Sequence, residues 1–209
     1  MEYTIKPEKH ELERARRAAK EALESSKTVL EKEQDVEVFL AGDGRESVRE
    51  KMNGSQGRTY SPTTVTASFC PEAEGWEDAL KRTIAHEYAH AYFYEEKPKA
   101  EFLWQWLLEE ALTQNFSEKI YPGIESPMRQ RFSREEVGEY WSDVKEVLGE
   151  EIGGWYEHQL FMGGESFPRW IGYSAAYLIG QKLLEEHDLE DFPGLERSDV
   201  IEAGDRLFG

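Results

Sequence analysis

Two histidines and a glutamate stand together in the short segment His86-Glu87-Tyr88-Ala89-His90. On an α-helix, residues four apart lie on one face, so both imidazoles can reach a single ion. Zinc binds imidazole nitrogen at about 2.0–2.1 Å, and catalytic zinc sites have three protein ligands and one open position. Glu87 follows the first histidine directly, so its carboxylate can take a proton from a water molecule at that open position. The segment therefore predicts His86 and His90 as metal ligands and Glu87 as the general base.

The residues that flank this segment favour a metal site over a chance match, which arises in roughly one chain in fifty of this size and composition. The segment L-K-R-T-I-A leads into it at 80–85, and the apolar run A-Y-F-Y follows it at 91–94. A helix this apolar is expected to be buried. Burying two imidazoles without partners is costly, whereas one metal ion satisfies both.

A third ligand is expected from the next helix along the chain. Two adjacent glutamates, Glu109 and Glu110, follow His90 after 18 and 19 intervening residues. Neither the spacing nor the helical phase selects between them, because both have apolar neighbours three and four residues away. Whichever of the two carboxylates does not bind the metal is expected to be exposed to solvent.

Hydrophobic periodicity predicts the elements that position these residues. Helices are expected at about 7–32, 76–94, 100–120, 134–149 and 166–187, strands at 36–40 and 63–69, a turn at 53–57 and a loop at 153–164. A few strands followed by many helices indicate an α+β fold, with a small N-terminal sheet and a mostly helical C-terminal half.

Length and composition predict one domain over residues 1–209, with an amphipathic helix within residues 1–33. Hydrophobic residues make up 39% of the chain and aromatic residues 12%, enough for a core. The single cysteine, Cys70, excludes an internal disulfide. The N-terminal residues lack the apolar stretch of a signal peptide, and no segment has the length of a membrane span. We therefore expect a cytoplasmic protein, whose oligomeric state stays open.

Three separated segments resemble a known group of enzymes. The segment 86–90, followed by E-A-L-T-Q-N-F at 110–116, resembles the gluzincin metalloproteases, which carry HExxH and then E-G-L-A-D-Y-F. Within that group the chain most resembles a family of predicted zinc-dependent proteases, a domain of unknown function with a HEYxH core and a late P-x-W-x-G-Y-x-x-G-Y-x-I segment. The corresponding residues here are P-R-W-I-G-Y-S-A-A-Y-L-I at 168–179. The resemblance extends over about 36–184.

The resemblance implies a zincin-like fold, one zinc ion per chain, and hydrolysis of a peptide or protein substrate. It selects Glu110 as the third ligand, because Phe116 then falls six residues after it. Gln114 stands where an acidic residue usually supports a metal-bound histidine, so we expect weaker zinc binding than is usual in the family. Tyr173 is expected to donate its hydroxyl to the oxyanion of the reaction intermediate. The alternative is that Tyr173 and Tyr177 are core tyrosines with satisfied hydroxyls.

Two other classes of function stay open beside the peptidase. One is a regulatory or binding module that keeps the fold and the zinc but hydrolyses nothing, and the intact Glu87 argues against it. The other is a metallohydrolase of non-peptide amides or esters. For a peptidase, the strand at 63–69 is interpreted as the edge strand that pairs with an extended peptide.

The charge balance is strongly acidic, with 43 acidic and 25 basic residues and a net charge of −18. Such a field repels nucleic acids and anionic membranes, so neither is expected as a partner. The acidic residues are spread along the whole chain, and lysines are few. This pattern is typical of proteins from a high-salt cytoplasm and predicts a halophilic origin; an ordinary acidic protein is the alternative.

If the surface is adapted to salt, the free energy of unfolding should increase between about 0.1 M and about 2 M KCl, because salt screens the repulsion among the carboxylates. Urea unfolding at the two salt concentrations measures this. Equal unfolding midpoints would favour the ordinary acidic protein.

Overall fold

The computed structural model describes residues 5–129 and 131–209. Its elements in chain order are α1 (Lys9–Lys27), β1 (Glu37–Gly42), α2 (Glu46–Lys51), β2 (Ser55–Ser61), β3 (Thr64–Phe69), α3 (Trp76–Glu96), α4 (Leu103–Ile120), α5 (Arg134–Val147), α6 (Trp155–Met162), α7 (Ile171–Leu183), a 3₁₀-helix (Leu189–Gly194) and α8 (Arg197–Phe208). This order confirms the α+β class, with a small sheet followed by mostly helical sequence. Within these residues no helix combines the length and apolarity needed to cross a membrane.

The chain divides into two compact units. The first extends as far as Lys97 and includes Phe116–Pro127, and the second comprises Pro98–Asn115 and Met128–Gly209. The organisation of residues 1–209 as one domain stays a prediction. The first four residues of the predicted N-terminal segment 1–33 lie outside the described residues.

The first unit is built on a three-stranded sheet with the strand order β1-β3-β2. β1 runs parallel to β3, and β2 runs antiparallel to it. The interpretation of residues 63–69 as an edge strand is wrong, because β3 is paired on both sides and lies in the centre. β1 and β2 are the edge strands. Val65, Ala67 and Phe69 of β3 are buried, as expected for alternate residues on one face of a strand.

Helix α1 turns a stripe of small side chains towards the core of this unit. Its buried residues are Ala15, Ala18, Ala19, Ala22 and Ser26. They recur at intervals of three and four residues, which places them on one face of the helix. Side chains this small allow close packing, and α1 makes most of its contacts with α3.

Helix α3 packs against α1, β2 and β3 and is buried on nearly all sides. It begins after Gly75, whose φ of 70° lies in the left-handed region. It ends at Lys97, which has extended backbone, as expected for a residue that precedes a proline. The predicted helix at 76–94 is thus confirmed to within two residues.

In the second unit, helices α4 and α7 approach each other closely at Gly180. A Cβ atom at this position would lie 2.7 Å from the carbonyl oxygen of Ala111. Next to this contact, Asn115 Nδ2 donates to the carbonyl oxygens of Ala111 (2.8 Å) and Tyr177 (3.1 Å). Because Gly180 has no side chain, the backbone of α7 can approach the backbone of α4 closely at this position.

Several elements escaped the sequence analysis. The predicted turn at 53–57 is present at Asn53 and Gly54 only, and from Ser55 onward the chain forms strand β2, whose sequence S-Q-G-R-T-Y-S has no apolar alternation to indicate a strand. The predicted loop at 153–164 contains α6, where apolar and aromatic residues occur on every side of the helix. Helix α7 begins at Ile171 rather than at 166, because Trp170 before it has a φ of 75°. Helices α2 and α8 were not predicted.

Replacing Gly75 by alanine should destabilise the protein by about 1 kcal/mol, because an L-residue pays that amount to adopt the left-handed conformation. An added Cβ atom would meet no other atom within 4 Å, so the cost is one of backbone conformation alone. Gly194 is the matched control: a Cβ atom there also meets nothing within 4 Å, and its φ lies outside the left-handed region. Urea unfolding should show a loss for Gly75→Ala and none for Gly194→Ala; equal effects would contradict the argument.

Candidate metal centre

His86 and His90 lie one turn apart on α3. Their ring centroids are 4.9 Å apart, with an angle of 75° between the ring planes. His90 is buried and also contacts the ring of Tyr94, whereas His86 is partly exposed. The spacing of four residues thus brings both imidazoles to the same face of the helix.

Glu110 of α4 completes a group of three possible metal ligands. One ligand atom each of His86, His90 and Glu110 can be chosen so that all lie within 4.8 Å of one another. Among residues 5–129 and 131–209, no other three histidine, cysteine or acidic side chains gather in this way. Glu110 is 4% exposed, so its carboxylate is largely removed from water.

The donor set of this group fits a zinc ion. Two imidazole nitrogens and one carboxylate oxygen are the three protein ligands of a known class of catalytic zinc site, in which the fourth position is open. Ligand atoms around tetrahedral zinc are about 3.3 Å apart, given bonds of about 2.0–2.1 Å. The ligand atoms of this group lie within 4.8 Å of one another, close enough to gather around a single ion.

Two side chains of α4 hold the carboxylate of Glu110. Trp106 Nε1 donates to its Oε1 at 3.4 Å, and Gln114 Nε2 donates to its Oε2 at 3.2 Å. They lie one turn before and one turn after Glu110 on the same helix. Gln114 was expected from the sequence to support a histidine, whereas this bond supports the glutamate. An ionised acidic residue at 114 could not donate it.

Glu109 does not belong to the group, although its spacing from His90 allowed it. Its Oε1 accepts a hydrogen bond from the backbone N–H of Ala100 at 3.3 Å. The side chain is 2% exposed. The expectation that the second of the two glutamates is solvated is therefore wrong, because the segment before α4 covers it and supplies a donor.

Glu87 is buried on α3 and is contacted by strand β2. Thr59 Oγ1 lies 2.7 Å from Glu87 Oε2 and 2.9 Å from the Glu87 carbonyl oxygen. A Cβ atom at Gly57 would lie 2.5 Å from Glu87 Cγ. Neither strand residue was predicted, because Gly57 fell within the turn expected at 53–57 and Thr59 follows it in a polar segment without apolar alternation. The glycine at 57 was the one available signal, since an isolated glycine in a strand can mark a close approach.

Tyr173 and Tyr177 lie on α7. Tyr173 is 8% exposed, and its ring contacts Phe161 edge to face at a centroid distance of 5.0 Å. The Tyr177 hydroxyl accepts a hydrogen bond from Gln181 Nε2 at 2.9 Å, and the guanidinium of Arg129 lies over its ring. The role of Tyr173 as an oxyanion donor stays a prediction.

The remaining histidines and the cysteine lie outside the ligand group. His10 and His158 are exposed and His187 is half-buried. Cys70 is a buried free thiol at the end of β3. None of the four belongs to the possible metal-binding group found among the described residues.

Tyr88, between Glu87 and His90 in the sequence, anchors α3. Its hydroxyl donates to the carbonyl oxygen of Leu30 at 2.8 Å, and both residues are fully buried. Its ring stacks on Phe116 with a centroid distance of 6.3 Å. Burial, followed by the carboxylates of Glu95 and Asp35, raises the pKa of Tyr88 to about 12.

The fold and this group of side chains define an α+β protein with a histidine and glutamate cluster compatible with metal binding. The chain belongs to the family described as "Predicted Zn-dependent protease (DUF2268)", which matches residues 15–201. No curated protein and no solved structure gives a significant match.

The Tyr88 hydroxyl provides a test of how α3 is anchored. Tyr88→Phe should cost about 1–3 kcal/mol at pH 8, because the buried Leu30 carbonyl loses its donor. The raised pKa adds a pH dependence: the unfolded chain ionises near pH 10, so the stabilisation is complete below pH 10 and is lost as pH rises towards 12. The difference between wild type and variant should therefore narrow at pH 11.

Urea unfolding at pH 8 and pH 11 measures both effects. Tyr60→Phe is the control, because Tyr60 is 50% exposed and its loss of a hydroxyl should change little at either pH. A difference for Tyr88→Phe that is the same at both values would argue against the raised pKa.

Proposed function

We propose that the protein is a zinc-dependent peptidase with a zincin-like fold, in which His86, His90 and Glu110 hold one zinc ion and Glu87 is the general base. The observation that carries the proposal is the gathering of three ligand atoms within 4.8 Å, two of them on the helix that also carries Glu87. Membership of a family of predicted zinc-dependent proteases supports the same class of reaction.

The three ligands would differ in what they contribute. When bound, zinc would supply Lewis-acid chemistry, polarising the carbonyl of the scissile bond and lowering the pKa of a water molecule. His86 and His90 are neutral donors, and Glu110 brings one negative charge. The hydrogen bonds from Trp106 and Gln114 orient that carboxylate before any ion arrives.

Glu87 would move the proton that the reaction requires. Its carboxylate would accept a proton from the attacking water and then pass it to the nitrogen of the leaving amine. The Glu87 side chain lies between its own helix and strand β2 and is only 6% exposed. This burial limits exchange of the proton with bulk water. Tyr173 would donate a hydrogen bond to the oxyanion; unchanged turnover in Tyr173→Phe would assign that tyrosine to the core instead.

The alternatives differ in what the purified protein would do. A binding or regulatory module would hold zinc and cleave nothing. A hydrolase of other substrates would cleave small amides or esters and leave peptides intact. Glu87 is buried beside a hydroxyl donor that engages its carboxylate, an arrangement suited to a group that exchanges protons, and this favours a hydrolase over a binding module. The family description favours peptides over other amides and esters as the substrate.

Metal analysis of the purified protein tests the ligands. Wild type dialysed against zinc should hold about one zinc per chain, and His86→Ala and Glu110→Gln should lose most of it. Glu109→Gln is the matched control, since it changes the adjacent buried carboxylate in the same way and should retain zinc. Dialysis of a separate sample against equal concentrations of zinc, manganese and cobalt together, followed by elemental analysis, identifies the preferred ion. Zinc retained by Glu110→Gln and lost by Glu109→Gln would reverse the assignment.

Cleavage of a fluorescence-quenched peptide library tests the reaction. Glu87→Gln should keep its zinc and lower turnover by about 10²–10⁴-fold, the usual contribution of a general base. Zinc-loaded wild type that cleaves small esters but no peptide would favour the non-peptide hydrolase. Zinc-loaded wild type that cleaves neither would favour the binding module.

A further inference from the structure

Strand β2 encloses the Glu87 side chain with two residues of one face. Gly57 and Thr59 are two positions apart, so they point to the same side of the strand. From that side Thr59 Oγ1 contacts the Glu87 carboxylate, at 2.7 Å from Oε2. A Cβ atom at Gly57 would lie 2.5 Å from Glu87 Cγ and 2.8 Å from Oε1. One residue thus offers a donor, and the other leaves the space that the carboxylate fills.

The Thr59 hydroxyl restricts the Glu87 carboxylate. A hydroxyl has one proton to donate, and an ionised carboxylate is a stronger acceptor than a backbone carbonyl, so the bond to Oε2 takes precedence. The Glu87 carbonyl oxygen, 2.9 Å from Thr59 Oγ1, is the other acceptor within reach of the same proton. Thr59 is 7% exposed and Glu87 6%, so little water competes for this bond. A glutamate side chain has three rotatable bonds, and this contact selects one of its conformations.

Gly57 contributes through the absence of a side chain. It is exposed, in contrast to Glu87 behind it. Any side chain at this position would press on the middle of the Glu87 side chain at Cγ, which cannot yield as freely as its tip. Even alanine would therefore require the helix, the strand or the glutamate to shift.

We propose that Thr59 and Gly57 are positioning residues for the general base, and that they hold the Glu87 carboxylate in the orientation needed for proton transfer. This inference rests on the proposed function. A misplacement of about 1 Å in a reacting group can cost about a hundredfold in rate, so the two contacts should affect turnover more than substrate binding.

The first test uses conservative variants of Thr59 and the best-cleaved peptide of the quenched library. Thr59→Val keeps the shape and removes the hydroxyl; it should lower kcat by about tenfold or more, with KM and zinc content unchanged. Thr59→Ser keeps the hydroxyl and should restore most of kcat. Thr66→Val is the matched control, because the Thr66 hydroxyl bonds to the backbone carbonyl of Arg58 on the neighbouring strand.

A second variant covers the case in which Thr59→Val folds poorly. Gly57→Ala keeps the Thr59 hydroxyl and displaces Glu87 directly, so it should also lower kcat by about tenfold or more with zinc content unchanged. A loss of activity explained only by misfolding would appear as a loss of zinc content in parallel.

A double-mutant cycle measures the strength of the contact between Thr59 and Glu87 from unfolding equilibria, without any activity assay. In the metal-free protein, Thr59→Val should change the unfolding equilibrium constant about tenfold more when Glu87 is present than in a Glu87→Ala background. Hydrogen bonds to charged groups are strong enough to give this difference.

The outcomes separate this inference from the proposed function. An active wild type with kcat unchanged in Thr59→Val and Gly57→Ala overturns the positioning role alone. So does a cycle in which the two Thr59→Val effects agree within about twofold. A zinc-loaded wild type that cleaves no peptide overturns the proposed function and the positioning role with it. Low kcat in Thr59→Val that Thr59→Ser restores supports both.

Discussion

The burial of α3 imposes a condition on everything around it, because polar groups that lose water must find partners in the protein. Tyr88 donates to the carbonyl of Leu30, and Glu87 receives the hydroxyl of Thr59. Near the C-terminal end of the helix, the Lys32 ammonium lies at 1% exposure and donates to a helix carbonyl. These partners come from two segments, the connection between α1 and β1 and strand β2, so the helix cannot shift or rotate without breaking several bonds at once. Its rigidity is a property of the whole first unit.

The same condition explains why one helix can carry such different polar side chains. Tyr88 and Glu87 are adjacent in sequence and therefore point in different directions, each to a partner of its own. His86 and His90 point in a common direction, where a single ion would serve both. A partner of each kind, hydroxyl, carbonyl or ion, thus corresponds to a different angular position on α3.

Sequence reasoning succeeded where one periodicity governed the outcome. The spacing of His86 and His90 on a strongly apolar helix was sufficient to place both on one face. Spacing and helical phase did not distinguish Glu109 from Glu110, because both sit among apolar neighbours and both are buried; only the family resemblance selected Glu110. The difference lies in tertiary contacts: one glutamate accepts the N–H of Ala100, and the other lies within the ligand group. Strand β2 was missed for a related reason, since pairing with β3 and contact with α3 define it rather than its own hydrophobic pattern.

The contact of Gly180 with Ala111 links two helices backbone to backbone, one residue from Glu110 and seven from Tyr173. Flexible side chains can absorb a small displacement of one helix. A direct main-chain contact that is bridged by the Asn115 amide passes such a displacement on to the other helix. Helices α4 and α7 therefore move together at this point rather than independently. Substitutions on the outer surfaces of the two helices would leave this contact intact. One added methyl group at Gly180 would push the two backbones apart.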